Sequence, residues 1–450
     1  MSRRIINSLF LILAINVVGF SQVTYSLEDA LSYALQNSAV IEKAKLDIEH
    51  GEQVITETRA SALPQINVNS SVTGNPIVQQ FVLPAEAFGG TPGEFMAIKA
   101  GQNWNAMTQV QLSQQLFNKQ LFTGIKAAKG SVEYYQLLKD LSEQNVIQQV
   151  AVNYYMVIIN REKLDVVESN LERMEQLEEV IRNQYELGLA KKIDLDRITV
   201  NKNNQEAMRV DLQRAVTQQE NLLKYYMGMD IQESISLPEY SQKELEEVLQ
   251  LTQVDENYNV EQLLDYQVLS KQKELLEFER DAHKAEYYPS LFLDANYAYN
   301  TQSDKFNIYT SDALNYDMSS ISLRLSIPIF DGFAKRSRVK QSNIALQKIT
   351  EEIKDTSNSL KMANENAKNQ YDSALANIMS QKANMNLAMD VFHNTQNNYS
   401  NGLATLTDLL NAESELVVAQ NSYNEALLNF KISEIDLIKS KGEIKTLLNN

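Results

Sequence analysis

Three histidines, His50, His283 and His393, are the only imidazoles in the 450 residues, and they are scattered. No HExxH spacing links them and no carboxylate cluster completes a metal centre around them, so metal-dependent hydrolysis is not indicated. Gly89, Gly90 and Gly93 lie in a loop with no following Lys-Ser/Thr, and no buried strand precedes them, so they do not cradle phosphate. Asp194-Leu195-Asp196 is a lone acidic pair. Cysteine is absent, which removes thiolate metal sites, disulfides and lipid modification of an amino-terminal Cys. With no nucleophile, base or cofactor site in view, the expectation is a protein without enzymatic activity, cofactor or metal. The formal charge of −17, with no basic patch, argues against nucleic acid as a partner.

What the sequence does carry is a duplication. Tyr185-Glu186-Leu187-Gly188-Leu189-Ala190-Lys191-Lys192-Ile193-Asp194-Leu195 returns as Tyr399-Ser400-Asn401-Gly402-Leu403-Ala404-Thr405-Leu406-Thr407-Asp408-Leu409. The same offset carries Gly228 onto Gly442, and an offset one residue shorter carries Leu116-Phe117-Asn118 onto Ile329-Phe330-Asp331. Whatever one half builds, the other builds again. The expected organisation is a signal peptide over 1–21, a first repeat over 22–229, an equatorial linker over 230–259 and a second repeat over 260–450.

Arg3 and Arg4 precede an apolar stretch from Ile5 to Phe20, and small residues at Gly19 and Ser21 precede Gln22, the pattern of a secretory signal. No later segment approaches the roughly 20 apolar residues that a spanning helix needs, so any membrane insertion must use strands.

Between Pro92 and Pro238, and again after Pro328, proline is absent, which permits long helices. The tracts 119–187 and 334–401 would each be about 100 Å long if wholly helical at roughly 1.5 Å per residue. In the first, Leu164, Val167, Leu171, Met174, Leu177, Ile181 and Tyr185 step by three or four, a narrow coiled-coil seam. In the second the stripe is poorer, with Leu360, Ala363, Ala367, Ala374, Ile378, Met385 and Ala388 among many Asn and Gln. A thin stripe with two wet faces suits the wall of a water-filled tube, and an ordinary solvated coiled coil equally. Shorter helices are expected at Leu27–Leu63 and 190–227, and at Val260–Tyr288 and 405–441.

Each half also holds two segments of period two, expected at about 64–74 and 105–117, and at about 290–300 and 319–330. Ile321, Leu323, Leu325, Ile327 and Ile329 alternating with Ser320, Ser322, Arg324 and Ser326 are the cleanest. About ten residues, apolar on one side and polar on the other, is the pattern of a membrane barrel strand, and Trp104, Phe117, Tyr287, Tyr288, Phe330 and Phe333 cluster at strand ends as an aromatic girdle would. The alternative is a soluble hairpin domain inserted between helices. Asn75–Asn103 and Thr301–Asp317 read as exposed loops.

Four strands leave two edges, and an unpaired edge in hydrocarbon costs several kcal/mol per lost hydrogen bond. Two copies would close about eight strands around a filled interior, whereas three would close about twelve around a lumen. A homotrimer touching outer lipid is the simplest pore.

The order of these features, helix, Pro64 junction, strand pair, Leu116-Phe117-Asn118, long helix, Gly188 turn and return helix, then its repetition through Tyr288-Pro289-Ser290, Pro328-Ile329-Phe330-Asp331-Gly332 and Asn401-Gly402-Leu403-Ala404, resembles the outer-membrane export-channel family typified by TolC. The resemblance covers nearly the whole mature chain. It implies a mainly helical fold in which long antiparallel coiled coils form an α-barrel and four strands per protomer join a 12-stranded trimeric β-barrel. It implies a location in the outer membrane of a Gram-negative-type bacterium with a large periplasmic extension. It further implies a periplasmic adaptor and an inner-membrane transporter as partners, in tripartite efflux or type I secretion. Docking turns carry over to Leu187, Gly188, Leu189 and Ala190 and to Asn401, Gly402, Leu403 and Ala404. Barrel-to-helix junctions carry over to Pro64, Phe117, Pro289, Pro328, Phe330 and Gly332, and a periplasmic aperture to Asp194 and Asp408. Thr405-Leu406-Thr407-Asp408 also fits a helix capping box. Gln115 replaces Pro328 and Lys119 replaces Gly332 in the first copy, so that junction should bend less. The competing reading is a periplasmic coiled-coil structural or adaptor protein without a pore.

Overall fold

A computed structural model describes residues 24–238 and 258–448. The expected signal peptide and most of the expected linker lie outside the described residues. The helices are α1 (Leu27–Asn37), α2 (Ala39–Ala60), α3 (Lys119–Glu186), α4 (Lys192–Met227), α5 (Leu264–Ala285), α6 (Ala334–Ser400) and α7 (Leu406–Ser440). The strands are β1 (Gln65–Gly74), β2 (Gln80–Pro84), β3 (Phe95–Lys99), β4 (Trp104–Asn118), β5 (Ser290–Ser303) and β6 (Leu314–Ser326). Among the described residues no helix is long and apolar enough to cross a membrane. The chain divides into two compact units, one of residues 40–142 and 259–362 and one of residues 1–39, 143–258 and 363–450.

The first of these units holds the strands. An antiparallel sheet runs in the order β1-β4-β5-β6, so β1 and β6 each keep an unpaired edge. Its register lines Ile66, Leu112, Ala295 and Ile321 in one row across all four strands, and Asn67, Gln111, Asn296 and Ser320 in the next. Successive rows face opposite sides of a pleated sheet, so one face is apolar and the other polar. Among the described residues most of the apolar face is uncovered, with Ile321 81% exposed and Ile66 64%; only its far end, at Trp104 and Tyr299, is covered by the β5–β6 loop. On the polar face Asp294 accepts hydrogen bonds from Ser113 Oγ at 2.7 Å and Arg324 Nε at 3.1 Å.

The helices of this unit pack through small residues. A Cβ at Gly51 of α2 would meet Val132 and Tyr135 of α3 at 3.1 Å, and one at Gly130 would meet Leu275 of α5 at 3.1 Å. Arg338 of α6 pairs with Glu286 just past α5.

Two local expectations are corrected here. The segment 75–103, read as a loop, contains the separate two-stranded sheet of β2 and β3. The last strand, expected to reach about residue 330, ends at Ser326. Pro328 has no N–H to offer a ladder, and Gly332 and Phe333 then turn the chain with φ of 68° and 70°. Asp331 Oδ2 accepts from Lys335 N at 2.9 Å to start α6. The first junction has no such break. β4 leads directly into α3 through a bulge between Gln115 and Phe117, and Asn118 Oδ1 accepts from Gln120 N at 2.9 Å.

In the other unit, Ser26 and Asp29 form a capping box that opens α1, and Ser38 ends that helix in an extended conformation. The expected helix Leu27–Leu63 is therefore broken in two. Gly228 closes α4 at φ 75°, where a side chain would strike Asn37 O at 2.4 Å. The core gathers Leu31, Ile147, Tyr154, Leu223, Tyr423 and Phe430. In the 363–400 part of α6 the buried positions are Asn364, Tyr371, Ile378, Met385 and Phe392, one per heptad, with Ala367, Ala374 and Ala388 beside them only half-buried. The stripe is thus narrower than the sequence pattern suggested.

Candidate functional site

The long and return helices of each repeat are joined by a glycine turn. At the first, Gly188 has φ 74°, and Leu189 N donates to Gln184 O at 2.7 Å while Gly188 N donates to Tyr185 O at 2.9 Å. At the second, Gly402 has φ 73°, Leu403 N donates to Asn398 O at 2.8 Å and Gly402 N to Tyr399 O at 3.0 Å. These 6→1 and 5→2 bonds satisfy the last carbonyls of α3 and α6, and only glycine takes that conformation cheaply. The turn leaves its flanking leucines in water: Leu187, Leu189 and Leu403 are each at least 75% exposed. Ala190 and Ala404 are half-buried, and Ala190 packs against the cluster of Met174, Ile181, Ile198, Leu406 and Leu410. Asn401 instead turns its amide back to Asn397 O at 2.8 Å.

Past the turns the two copies diverge. Thr405 caps α7: Asp408 N donates to its Oγ1 at 3.2 Å, while Thr405 N and Oγ1 donate to Asp408 Oδ2 at 2.9 and 2.7 Å. Those donors, the hydroxyl first, hold the Asp408 carboxyl below its ordinary range. Lys191 occupies the same place in the first copy and makes no side-chain cap. Asp194 is half-buried and lies near Tyr399, whose phenol is raised by burial and then by the Asp194 charge. The two acids therefore stand in different surroundings.

Between the first turns of α4 and α7 lies a groove of about 390 Å³ lined by Ile193, Arg197, Val200, Thr407, Leu410 and Asn411. Arg197 Nη1 donates to Thr407 Oγ1 across it at 2.7 Å, and Ile193 and Val200 remain exposed. Sequence reasoning missed this groove. Ile193 and Val200 lie one heptad apart on α4, but nothing in their local spacing sets them off from the other apolar residues of that helix.

The junction residues stand at both ends of the sheet's helix-proximal side: Pro64 before β1, Phe117 at the bulge, Pro289 before β5, and Pro328, Phe330 and Gly332 after β6. Phe330 stacks edge-on against Phe333 at 5.5 Å and Phe117 lies 6.1 Å from Phe122. Among the described residues no group of His, Cys, Asp or Glu is placed to hold a metal ion.

The family model described as outer membrane efflux protein matches residues 30–229 and 268–443. The chain belongs to this outer membrane efflux family. It is 18% identical over 439 residues to the outer membrane protein TolC of Vibrio cholerae, covering 97% of this chain and 95% of that protein. It is 20% identical to the alkaline protease secretion protein AprF of Pseudomonas aeruginosa, over 90% of this chain and 82% of that one. The crystal structure of the outer membrane protein VceC from Vibrio cholerae superposes with a TM-score of 0.70 at 16% identity, covering 92% of this chain and 96% of that chain. As a member of the efflux family the protein is an outer-membrane channel for efflux or type I secretion, and the family is one of transport rather than of enzymes.

Proposed function

We propose that three copies close one 12-stranded barrel in the outer membrane. The tube conducts substrate passively, driven by an inner-membrane transporter that couples to it through a periplasmic adaptor. The observation that carries this reading is the sheet itself, apolar on one exposed face, polar on the other and open at both edges. Lipid suits the first face, water the second, and another copy each edge. In this reading the mature chain is two repeats, 22–229 and 260–450, with the signal peptide removed on export. In this arrangement the exposed leucines of the Gly188 and Gly402 turns, together with the groove at Ile193 and Val200, receive the adaptor. Asp194 and Asp408 ring the periplasmic aperture.

Single-channel recording in planar bilayers tests the pore. A conductance of stable size, with cysteines at Ile321 and Ser322 labelled selectively from lipid and from water respectively, is the expected result. Labelling of both positions from water would end the membrane-barrel reading. For the aperture, Asp194→Ala and Asp408→Ala should lower cation selectivity. Unchanged conductance and selectivity in both would remove these acids from the constriction.

A further inference from the structure

Two connections leave the end of the sheet away from the helices, and they treat their apolar residues differently. The β5–β6 loop folds back on its own sheet: Phe306 lies edge-on to Trp104 at 4.7 Å, and Tyr309 stacks on Tyr299 at 6.2 Å and shares a 2.9 Å hydrogen bond with Thr108 Oγ1. The β2–β3 hairpin does not. Its register places Phe81, Ile98, Leu83 and Met96 on one face, and Val82, Ala97, Pro84 and Phe95 on the other, which ends at the stem in the polar pair Gln80 and Lys99. Beyond that pair both faces are apolar. Six of these eight residues are large hydrophobics left in solvent or nearly so, with Phe95 72% exposed and Val82 65%.

The hairpin is nonetheless built to a definite shape. Its stem closes through Asn75 N to Asn103 O at 2.7 Å and Ala100 N to Gln79 O at 2.8 Å. Its tip is a 3-10 turn, Ala85–Phe88, in which Gly93 N donates to Glu86 Oε1 at 2.8 Å and Ala85 is buried. A two-stranded ribbon is marginal in water unless a face is covered. One apolar face would be satisfied by lipid or by a single partner, as the main sheet's one apolar face would be. Two apolar faces on opposite sides of one ribbon need a partner on each side. The acids Glu86 and Glu94 at the tip also suit a lipid headgroup surface poorly.

We infer that the β2–β3 hairpin is an inter-protomer clasp at the outer mouth, one face packing on the opposite face of the hairpin in the next copy. This rests on the trimeric barrel proposed above. The hairpin continues from β1, the strand whose free edge another copy must cover, so the same neighbour is brought to its side. A ring built from two unlike faces is a heterologous contact, and it closes when the symmetry does, giving every hairpin a partner on both sides.

The chain has no cysteine, so an introduced pair reports without background. Val82→Cys and Met96→Cys in one chain place thiols on opposite faces of the hairpin. Treatment of the full-length protein in outer-membrane vesicles with a short bis-maleimide should give a covalent trimer after boiling in SDS, and each single variant should stay monomeric. Native mass spectrometry of the same protein reports the assembly independently. A mass of three chains with no cross-linked trimer would overturn the clasp and leave the barrel standing. A mass of one chain would overturn the barrel, and with it the clasp. A cross-linked dimer as the end product would also overturn the clasp, because it breaks the ring.

Discussion

The two repeats fold alike and differ in chemistry at an equivalent buried position near their tips. In the first, Glu178 of α3 lies buried in the seam and is bonded to Lys202 Nζ at 2.6 Å, Arg182 Nη2 at 2.7 Å and Thr199 Oγ1 at 3.0 Å. The duplication carries Glu178 onto Phe392 and Lys202 onto Leu416, and these two sit in one apolar cluster with Leu409 and Ala412. At this one position the first seam is closed by charge and the second by burial, although Met174, Ile181 and Ile198 also give the first seam buried apolar residues. The same contrast recurs at the turns, where the second copy has a complete capping box and the first has Lys191 in place of the cap. A duplicated scaffold therefore tolerates either solution at one position, provided the group opposite changes with it.

The largest effect should come from the apolar seam. Phe392→Ala removes a side chain that is 5% exposed and should cost about 3–5 kcal/mol, read as a lowered midpoint in thermal unfolding and faster amide exchange in α7. Glu178→Phe alone should destabilise the first seam by leaving Lys202 unpaired, and adding Lys202→Leu should restore it. If the pair of changes is no better than the single one, the equivalence of the two seams fails.

Next come the glycines. Gly188→Val and Gly402→Val place a β-branched residue at positive φ and should each cost about 1–2 kcal/mol, with equal size in both turns because neither site has steric neighbours. A pull-down with the adaptor checks whether the two turns also matter equally for docking. Smaller still, Thr405→Ala should cost about 1 kcal/mol through the lost cap. Lys191→Thr should recreate the Thr-x-x-Asp box with Asp194 and stabilise the first turn of α4 by a similar amount, measured by local hydrogen exchange.

The smallest effect is that of pH. The Lys202 hydrogen bond outweighs burial and holds the Glu178 carboxyl below its ordinary range. A carboxylate depressed in the folded state stabilises above its unfolded value, and that contribution is lost as pH falls through the lowered one. Acid should therefore loosen the α3–α4 tip through Glu178 and the α6–α7 tip through the Asp408 cap. Amide exchange at pH 3 and pH 6 tests this, and Glu178→Gln should remove the pH dependence of the first tip while leaving that of the second. Glu162 runs the other way: burial, then the Asp165 charge, pushes it up to about 7, so its contribution fades as pH rises through neutrality.

Much of this architecture can be read from residue order. The duplication follows from motifs that recur at a fixed offset, the long helices from tracts without proline, and the alternation around Ile321 from a period of 2. The β2–β3 hairpin was hidden because Gly89, Gly90 and Gly93 mark a turn without marking the strands on either side, and because ribbons with two apolar faces show no alternation. The one-per-heptad seam of α6 was blurred by alanines, which look apolar in sequence but are too small to reach the contact. The groove at Ile193 and Val200 depends on how α4 meets α7, a tertiary fact with no local pattern. The proposed docking and aperture roles rest on the family resemblance, since exposed leucines and a capping aspartate each have an ordinary structural purpose.

If, as proposed, no single chain can seal the β1-β4-β5-β6 sheet, the conducting particle must hold several copies. Native mass spectrometry of the protein extracted from outer membranes in mild detergent counts them. Three chains in a particle that conducts when reconstituted is the expected result, and a conducting particle of one chain would show that one sheet closes by itself.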